Sequence, residues 1–380
     1  MNTTLSLTAN SRTGFRQVVG IGGIGSGKII ALEGDRTLGR DESRLGTMLK
    51  ARDYCKLHIV EHYIAKLMGS GEALPTFGVI AVGNVGDDGI GTALIREMAA
   101  AGIDTEFVRI LPEYPTLFSV CFLYPDGSGG NITTSNSAAS ALDKTQVEGC
   151  RPLLQAAGTR GIALCLPEVP LEARREFLRI ATECGSFRVA SFVSGEIETA
   201  KSHDLFSKID LLSLNREEAA AVAFEDGDLN QLLDACSKEL SASDRGMRIV
   251  VSDGSAGAYA FENGRWSKHE AVSAKVDSAA GAGDALLAGV TAGLATGLPF
   301  RGSEIERATG ARELASAIDL GLLLASFSVT SPHTIHPGAD LSTLLRFASD
   351  REFSLSAEFK QACTSGGRLL PTTPSTVTGN

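Results

Sequence analysis

The stretch Val276-Asp277-Ser278-Ala279-Ala280-Gly281-Ala282-Gly283-Asp284 runs straight into the apolar Ala285-Leu286-Leu287-Ala288-Gly289. An extended segment that turns through glycines into a helix aims its first backbone N–H groups at one spot, and the helix dipole adds positive potential there. The backbone of Gly281, Ala282 and Gly283 is therefore a candidate anion hole. Asp284 lies in the same turn but cannot serve to bind the anion, because like charges repel. It suits another task, taking a proton from a hydroxyl that attacks a phosphoryl group held in the hole. An aspartate that merely stabilises its own helix would account for Asp284 but not for the two glycines beside it.

Two further glycine clusters compete for attention. Gly20-Ile21-Gly22-Gly23-Ile24-Gly25 has the spacing of a dinucleotide fingerprint, and Gly22 to Lys28 has that of a phosphate-binding loop. Both motifs need a helix to follow, and here Ile29-Ile30-Ala31-Leu32 reads as another strand. Ile29 also stands where a phosphate loop needs a Ser or Thr hydroxyl for magnesium. A strand with tight turns beside a substrate is the expectation. The second cluster, Gly83 to Gly91, contains Asp87 and Asp88 between a buried strand and a helix, so Asp88 is either a helix cap or a substrate contact. Asn215 and Glu218 have the spacing of a capping box, Asn at the helix start with Glu three residues on. His58 and His62 sit four apart on a helix with no third ligand in view, which favours packing over metal binding.

The elements that must position these residues follow from periodicity. Short apolar runs, Gln17–Gly22, Phe77–Val82, Gly161–Cys165, Phe187–Val193, Leu211–Leu214 and Arg248–Ser252, read as strands. They alternate with helical patterns at Cys55–Met68, Ile90–Ala101 and Leu171–Cys184, and near 283–296 and 303–327. Such alternation predicts a doubly wound, mostly parallel α/β sheet flanked by helices. The β-prone pieces within 24–48 and 104–135 interrupt it and are expected to form a small β-sheet lid. The main domain is drawn over 17–345, with 346–380 as a C-terminal extension ending in a mobile tail.

With 35 Lys and Arg against 45 Asp and Glu, the formal charge of the 380-residue chain is −10, which argues against nucleic-acid binding. No apolar run reaches the length of a membrane span. Seven scattered cysteines without a CxxC pair, and a start without a signal-peptide layout, point to a cytoplasmic protein.

Asp277–Gly289, ending its motif in Gly281-Ala282-Gly283-Asp284, resembles the C-terminal signature of the ribokinase-like (PfkB) carbohydrate kinase family. Gly86-x-Asp88-x-x-Gly91 is similar to the family's N-terminal signature. Leu211–Asn215 with Glu218 resembles its strand followed by N-x-x-E, and Val250–Ala258 the strand and turn that face the nucleotide. The resemblance implies ATP-dependent phosphorylation of a hydroxyl on a sugar or sugar-like molecule, with a nucleoside as one variant. A catalytically weak member that binds a metabolite as a sensor is the alternative. It also implies Asp284 as general base, Asn215 and Glu218 in a magnesium–phosphate network, and Ser252, Asp253, Gly254, Gly257 and Ser278 along the nucleotide. Ser278 stands where many members have an aspartate beside a monovalent-cation site, so potassium activation is not carried over; the phosphosugar branch also has Ser there. The family's first strand usually has an aspartate five residues after a glycine, and Gly27 holds that place here. The G-G-x-x-x-N before the first long helix is missing too, leaving Gly27, His58 and Asp88 as candidate substrate residues. The apolar face of the lid, with Phe107, Val108, Leu117, Phe118, Val120 and Phe122, predicts a homodimer through the lid.

Overall fold

Runs of Val, Ile and Leu too short for helices and bounded by turns build the centre of the molecule. The computed structural model describes residues 5–9, 14–71, 77–126, 129–225, 227–241, 246–302, 312–365 and 368–369. Along the chain come β1 (Gln17–Ile21), β2 (Gly25–Leu32), β3 (Gly46–Met48), β4 (Asp53–Tyr54) and helix α1 (Lys56–Met68). Next are β5 (Gly78–Gly86), α2 (Gly89–Ala101), β6 (Asp104–Leu111), β7 (Leu117–Leu123), β8 (Gly129–Thr133), β9 (Gly161–Cys165) and β10 (Phe187–Ser191). Then follow β11 (Leu211–Asn215), α3 (Arg216–Ala223), β12 (Arg248–Ser252), β13 (Ala258–Glu262), β14 (Arg265–His269), α4 (Ala282–Ala295) and α5 (Ala317–Ser328).

The large sheet has the order β14-β13-β12-β11-β10-β9-β1-β5-β6, parallel from β12 to β6 and closed at the other end by the antiparallel β13 and β14. Side chains alternate across it, as a pleated strand requires. Val18, Ile162, Leu164, Val189, Leu211 and Val250 pack on the side of α1, α4 and α5. Val19, Ala163, Cys165, Ala190, Leu212 and Val251 pack on the other side, against Phe177, Leu178 and Leu232 of the opposite helical layer. The sheet is thus wound with helices on both faces, as the alternation of elements predicts.

Small residues let α4 and α5 touch. A Cβ on Gly289 would stand 2.6 Å from the Gly321 Cα, and one on Gly293 would stand 2.7 Å from the Ala317 Cα. Side chains there would push the helices apart and move the glycine turn at the α4 N-terminus.

A second, small sheet has the order β3-β2-β7-β8, with β4 also paired to β2. Its boundaries differ from the sequence expectation in one respect. Asp104–Leu111 is not part of it but the edge strand of the large sheet, parallel to β5. An edge strand half open to solvent alternates polar and apolar residues just as a lid strand would, so the pattern could not separate the two.

The chain beyond 345 is likewise no appendage. The proposed boundary falls inside the helix Leu341–Ser349, which buries Leu344 and Phe347. Phe359 is fully buried, and Cys363 pairs with Leu7 in a short strand contact. The tail 370–380 lies outside the described residues. The helix expected over 303–327 is shorter, since Glu313–Leu314 is a strand and Ser316 opens α5 with a capping box; residues 303–311 lie outside the described set. No helix among the described residues is long and apolar enough to cross a membrane.

Candidate active site

The first glycine cluster turns out to be a packing device. β2, not a helix, follows it. A Cβ on Gly20 would lie 2.3 Å from Glu61 Oε1, and one on Gly23 would lie 2.4 Å from the Glu168 Cβ. Glycines here let α1 and the loop carrying Glu168 press onto the backbone leaving β1. That loop follows the carboxyl end of β9, and Asn215 and Ser252 stand at the carboxyl ends of β11 and β12. In an open parallel sheet this is the edge where ligands bind.

Asp284 lies in the first turn of α4, 12% exposed, facing Lys56 at the start of α1. The Lys56 Nζ stands 3.4 Å from Asp284 Oδ1, and its backbone N–H donates to Glu168 Oε2 at 3.1 Å. Lys56 is held charged above the usual lysine range, first by Asp284 and further by Glu168 and Glu218. Asp284 is raised above the ordinary carboxylate range, because burial outweighs the pull of Lys56 and the charge of Asp53 adds to it. Burial pushes Glu168 up to about 7 against the opposing pull of Lys56. Glu168 also has φ 71°, a left-handed conformation that non-glycine residues adopt at a cost.

Gly281 sits at φ 80° as the N-cap of α4, where a Cβ would meet the Thr334 carbonyl oxygen at 2.7 Å. A Cβ on Gly283 would meet nothing within 4 Å, so its bare backbone borders open space. That space is a cavity of about 200 Å³ lined by Lys56, Asn215, Glu218, Ser252, Gly281 and Asp284 among others. A larger apolar cavity of about 540 Å³ shares Ser252 and Gly283 with it and extends past Gly254, Gly257, Val272, Ala282 and Leu322. Gly257, at φ 100°, comes so near the His269 carbonyl that no side chain fits. Residues predicted from three separate motifs therefore converge on one cleft.

Asn215 and Glu218 do form the capping box. Each side chain accepts the other's backbone N–H at 2.8 Å. Glu218 lines the cavity as well, and burial pushes it up to about 7. A carboxyl that burial leaves short of compensating charge, beside the open space at Gly283, suits a hydrated magnesium ion.

Other predicted residues are placed elsewhere. Asp253 lines neither cavity and sits 3.8 Å from Arg216. The Ser278 hydroxyl accepts the Ala280 N–H at 3.2 Å, within its own turn. Asp88 caps α2 through Gly91 N–H and takes both the N–H and the hydroxyl of Thr116, each at 2.8 Å. Its oxygens are thereby committed to fastening the start of β7 to α2, in place of the substrate contact expected. His58 is 1% exposed and packs edge-on to Tyr54, lining a separate cavity with Arg52, His62 and His333. Two residues along a helix is about 200° of turn, so His58 points away from the cleft that Lys56 faces. Gly27 lies in β2 with no room for a side chain, since a Cβ would be 2.1 Å from Ser119 Oγ.

Lys56 and Glu168 are the site residues that the sequence reading missed. An acidic residue just past the carboxyl end of a central strand was a usable signal for Glu168. Nothing local distinguishes Lys56.

Comparison with known proteins agrees with this geometry. The chain is similar to ribokinase from Giardia lamblia, at 15% identity over 88% of this chain and 99% of that one, with a TM-score of 0.71. It is similar to Arabidopsis thaliana ribokinase complexed with ribose and ATP, at 20% identity over 88% and 99%, with a TM-score of 0.65. A Burkholderia thailandensis nucleoside kinase in complex with inosine matches at 15% identity over 88% and 98%, also with a TM-score of 0.65. At these identities the likeness speaks for the fold. The model of the pfkB family of carbohydrate kinases matches residues 63–340, most of the chain, and the protein belongs to that family.

Proposed function

We propose that the protein transfers the γ-phosphoryl group of ATP to a hydroxyl of a sugar or sugar-like small molecule, with Asp284 as general base. The observation that carries this reading is Asp284 in the first turn of α4, beside bare glycine backbone and against Lys56. The apolar cavity at Gly254 and Gly257 takes the nucleotide base, and Ser252 and Gly283 mark where its phosphates cross into the smaller cavity. Asp284 takes the proton of the acceptor hydroxyl as that oxygen bonds to the γ-phosphorus, and the bond to the β-phosphate oxygen breaks to release ADP. The N–H groups of the glycine turn and the Lys56 ammonium face the charge that the transferring group spreads over its oxygens. Glu218, held by Asn215, is the residue to hold magnesium through water, and the ion would neutralise phosphate charge when bound.

The small sheet acts as a lid in this proposal, because water left in the cleft would accept the phosphoryl group in place of the substrate. Its outer face shows Met48 and Ile132 at 62% and 67% exposure beside Phe118, Val120 and Phe122, and we assign that face to a homodimer contact. The cytoplasm is the proposed location.

The test is to incubate the purified protein with magnesium and ATP labelled in the γ-phosphate, over a panel of sugars, sugar phosphates and nucleosides. Label recovered on an acceptor supports the reading. Label released only as inorganic phosphate contradicts it and favours a sensor.

A further inference from the structure

A separate cavity of about 500 Å³ opens between α1, α2 and the loop that carries His333. It shares no lining residue with either cavity of the catalytic cleft. Its volume is that of a small-molecule site. Arg52, His58, His62, Lys66 and His333 bring nitrogen to its wall, and Ala100, Ile335 and Pro337 add apolar surface.

Its imidazoles are the groups that packing does not explain. His58 is 1% exposed, and the Nδ1 atoms of His58 and His62 are both buried without a hydrogen-bond partner among the described residues. Leaving buried polar atoms bare is costly, which is a reason to look for a ligand. The two ring centroids lie 6.0 Å apart, near enough to serve one small molecule. His333 accepts the Arg52 N–H at Nδ1, at 2.9 Å, so its ring proton is on Nε2 and remains to be donated. Glu97 is the one carboxylate on the wall among the described residues, and both its oxygens are committed. Arg52 donates to Oε1 at 2.6 Å and the Tyr54 hydroxyl to Oε2 at 3.0 Å.

Charge selects the ligand. No three His, Cys, Asp or Glu side chains among the described residues gather to hold a metal ion, so the two histidines lack the further ligands a cation needs. Burial first, then His62 and Arg52, hold His58 neutral well below the usual histidine range. Burial and Lys66 push His62 down to about 4. With Glu97 spent on Arg52, the Lys66 ammonium is the surplus charge, and among the described residues its Nζ reaches the Ala100 carbonyl, at 3.4 Å. Neutral imidazoles that can donate, beside a spare cation, suit an anion.

The same wall leads to the glycine turn. The Thr334 N–H donates to the Arg52 carbonyl at 3.2 Å, and the Tyr54 N–H donates to Thr334 Oγ1 at 3.0 Å. Thr334 in turn supports the start of α4, its carbonyl oxygen lying 2.7 Å from where a Cβ on Gly281 would be. We propose that this cavity binds a small organic anion, a carboxylate or a phosphate monoester with an apolar body, and that an occupant braces Arg52 and His333 and so tightens ATP binding at the glycine turn. The binding site stands apart from the kinase reading above; the link to ATP rests on it.

The test is calorimetric titration of the full chain with phenyl phosphate and with benzoate at constant ionic strength, for wild type, His58→Phe, Lys66→Met and Asp284→Asn. Wild type should bind at least one probe with a Kd of about 1 mM or tighter, and the better probe tells phosphate from carboxylate. His58→Phe keeps a ring against Tyr54 and should weaken binding about 10-fold or more, the loss of a hydrogen bond to a charged group. Lys66→Met keeps the stem without the charge and should weaken binding too; it decides the matter if the His58 variant does not fold. Asp284→Asn should bind as wild type does, because its carboxylate lies in the other cavity. With the probe saturating, the Kd of a non-hydrolysable ATP analogue should fall about fivefold in wild type, the low end of couplings between sites, and stay unmoved in His58→Phe. Binding of neither probe, or binding that survives both cavity variants, would overturn the site. Probe binding with an unchanged analogue Kd would overturn the link to the glycine turn. An analogue that binds neither with nor without the probe would remove the kinase reading and the link with it, and leave the site standing.

Discussion

Lys56 and Asp284 set each other's protonation, and a pH experiment can read that coupling. Burial holds Asp284 above the ordinary carboxylate range, and the Lys56 ammonium opposes that rise. Removing the cation takes stabilisation away from the anionic form, so the Asp284 pKa must climb further. A base works only when deprotonated, so Lys56→Met should move the acid limb of the kcat/KM profile to higher pH as well as lower the plateau. A lowered plateau with an unmoved limb would mean that Lys56 acts on phosphate alone. Glu218 needs a separate probe because it both caps α3 and lines the cavity. Glu218→Gln keeps the shape of the capping side chain, so stability should hold while the magnesium concentration for half-maximal rate rises. A drop in stability of about 1 kcal/mol or more with an unchanged magnesium profile would assign Glu218 to the cap alone.

Among the elements, the junction of α2 with the small sheet carries a sharp expectation. Asp88 accepts from Gly91 at the helix start and twice from Thr116 at the edge of the sheet. Asp88→Ala should destabilise the protein by about 1–2 kcal/mol, the upper range for a lost N-cap. Burial works against the Asp88 charge, but the hydrogen bonds from Thr116 and Gly91 win and hold its pKa below the ordinary aspartate range. A depressed folded-state pKa gives stability that is complete above the unfolded value and is lost as pH falls through the folded one. The gap in unfolding temperature between wild type and Asp88→Ala should thus be full at neutral pH and close below about pH 4. A gap that does not change with pH would show that the carboxylate is not the stabilising group.

Elements also explain what could be read from the sequence. The glycine turn and Asp284 were legible because they are contiguous and their chemistry depends on one helix start. The alternation of Val, Ile and Leu runs with helices gave the sheet for the same reason, each strand being a local pattern. Lys56 and Glu168 were hidden because they come from two distant segments and meet only once the start of α1 packs against the loop that follows β9. Asp88 and His58 stayed ambiguous because a cap and a buried aromatic contact use the same residue types as a binding site. The strand at 104–111 was given to the wrong sheet because edge strands of either sheet show the same half-buried alternation.

For the whole molecule, the outer face of the small sheet links assembly to function. Phe118, Val120 and Phe122 alternate with the inward Leu117 and Ser119 and share their face with Met48 and Ile132. Replacing Phe118 and Phe122 by Ser should weaken self-association and raise the ratio of ATP hydrolysed to acceptor phosphorylated, because a lid without its partner closes less well. Wild-type protein that sediments as a monomer at micromolar concentration would remove the dimer. An unchanged ratio in the double variant would remove the lid.

The central claim is that Asp284 activates a hydroxyl for attack on ATP. It is tested most directly by the acceptor-dependent rate of ADP release in wild type and in Asp284→Asn, measured by single turnover so that chemistry is observed. The Asn side chain keeps the volume and the helix start but cannot take the proton. The account predicts a rate lower by about 10²-fold or more, with ATP binding and unfolding temperature nearly unchanged. A variant that keeps more than about a third of the wild-type single-turnover rate would contradict it.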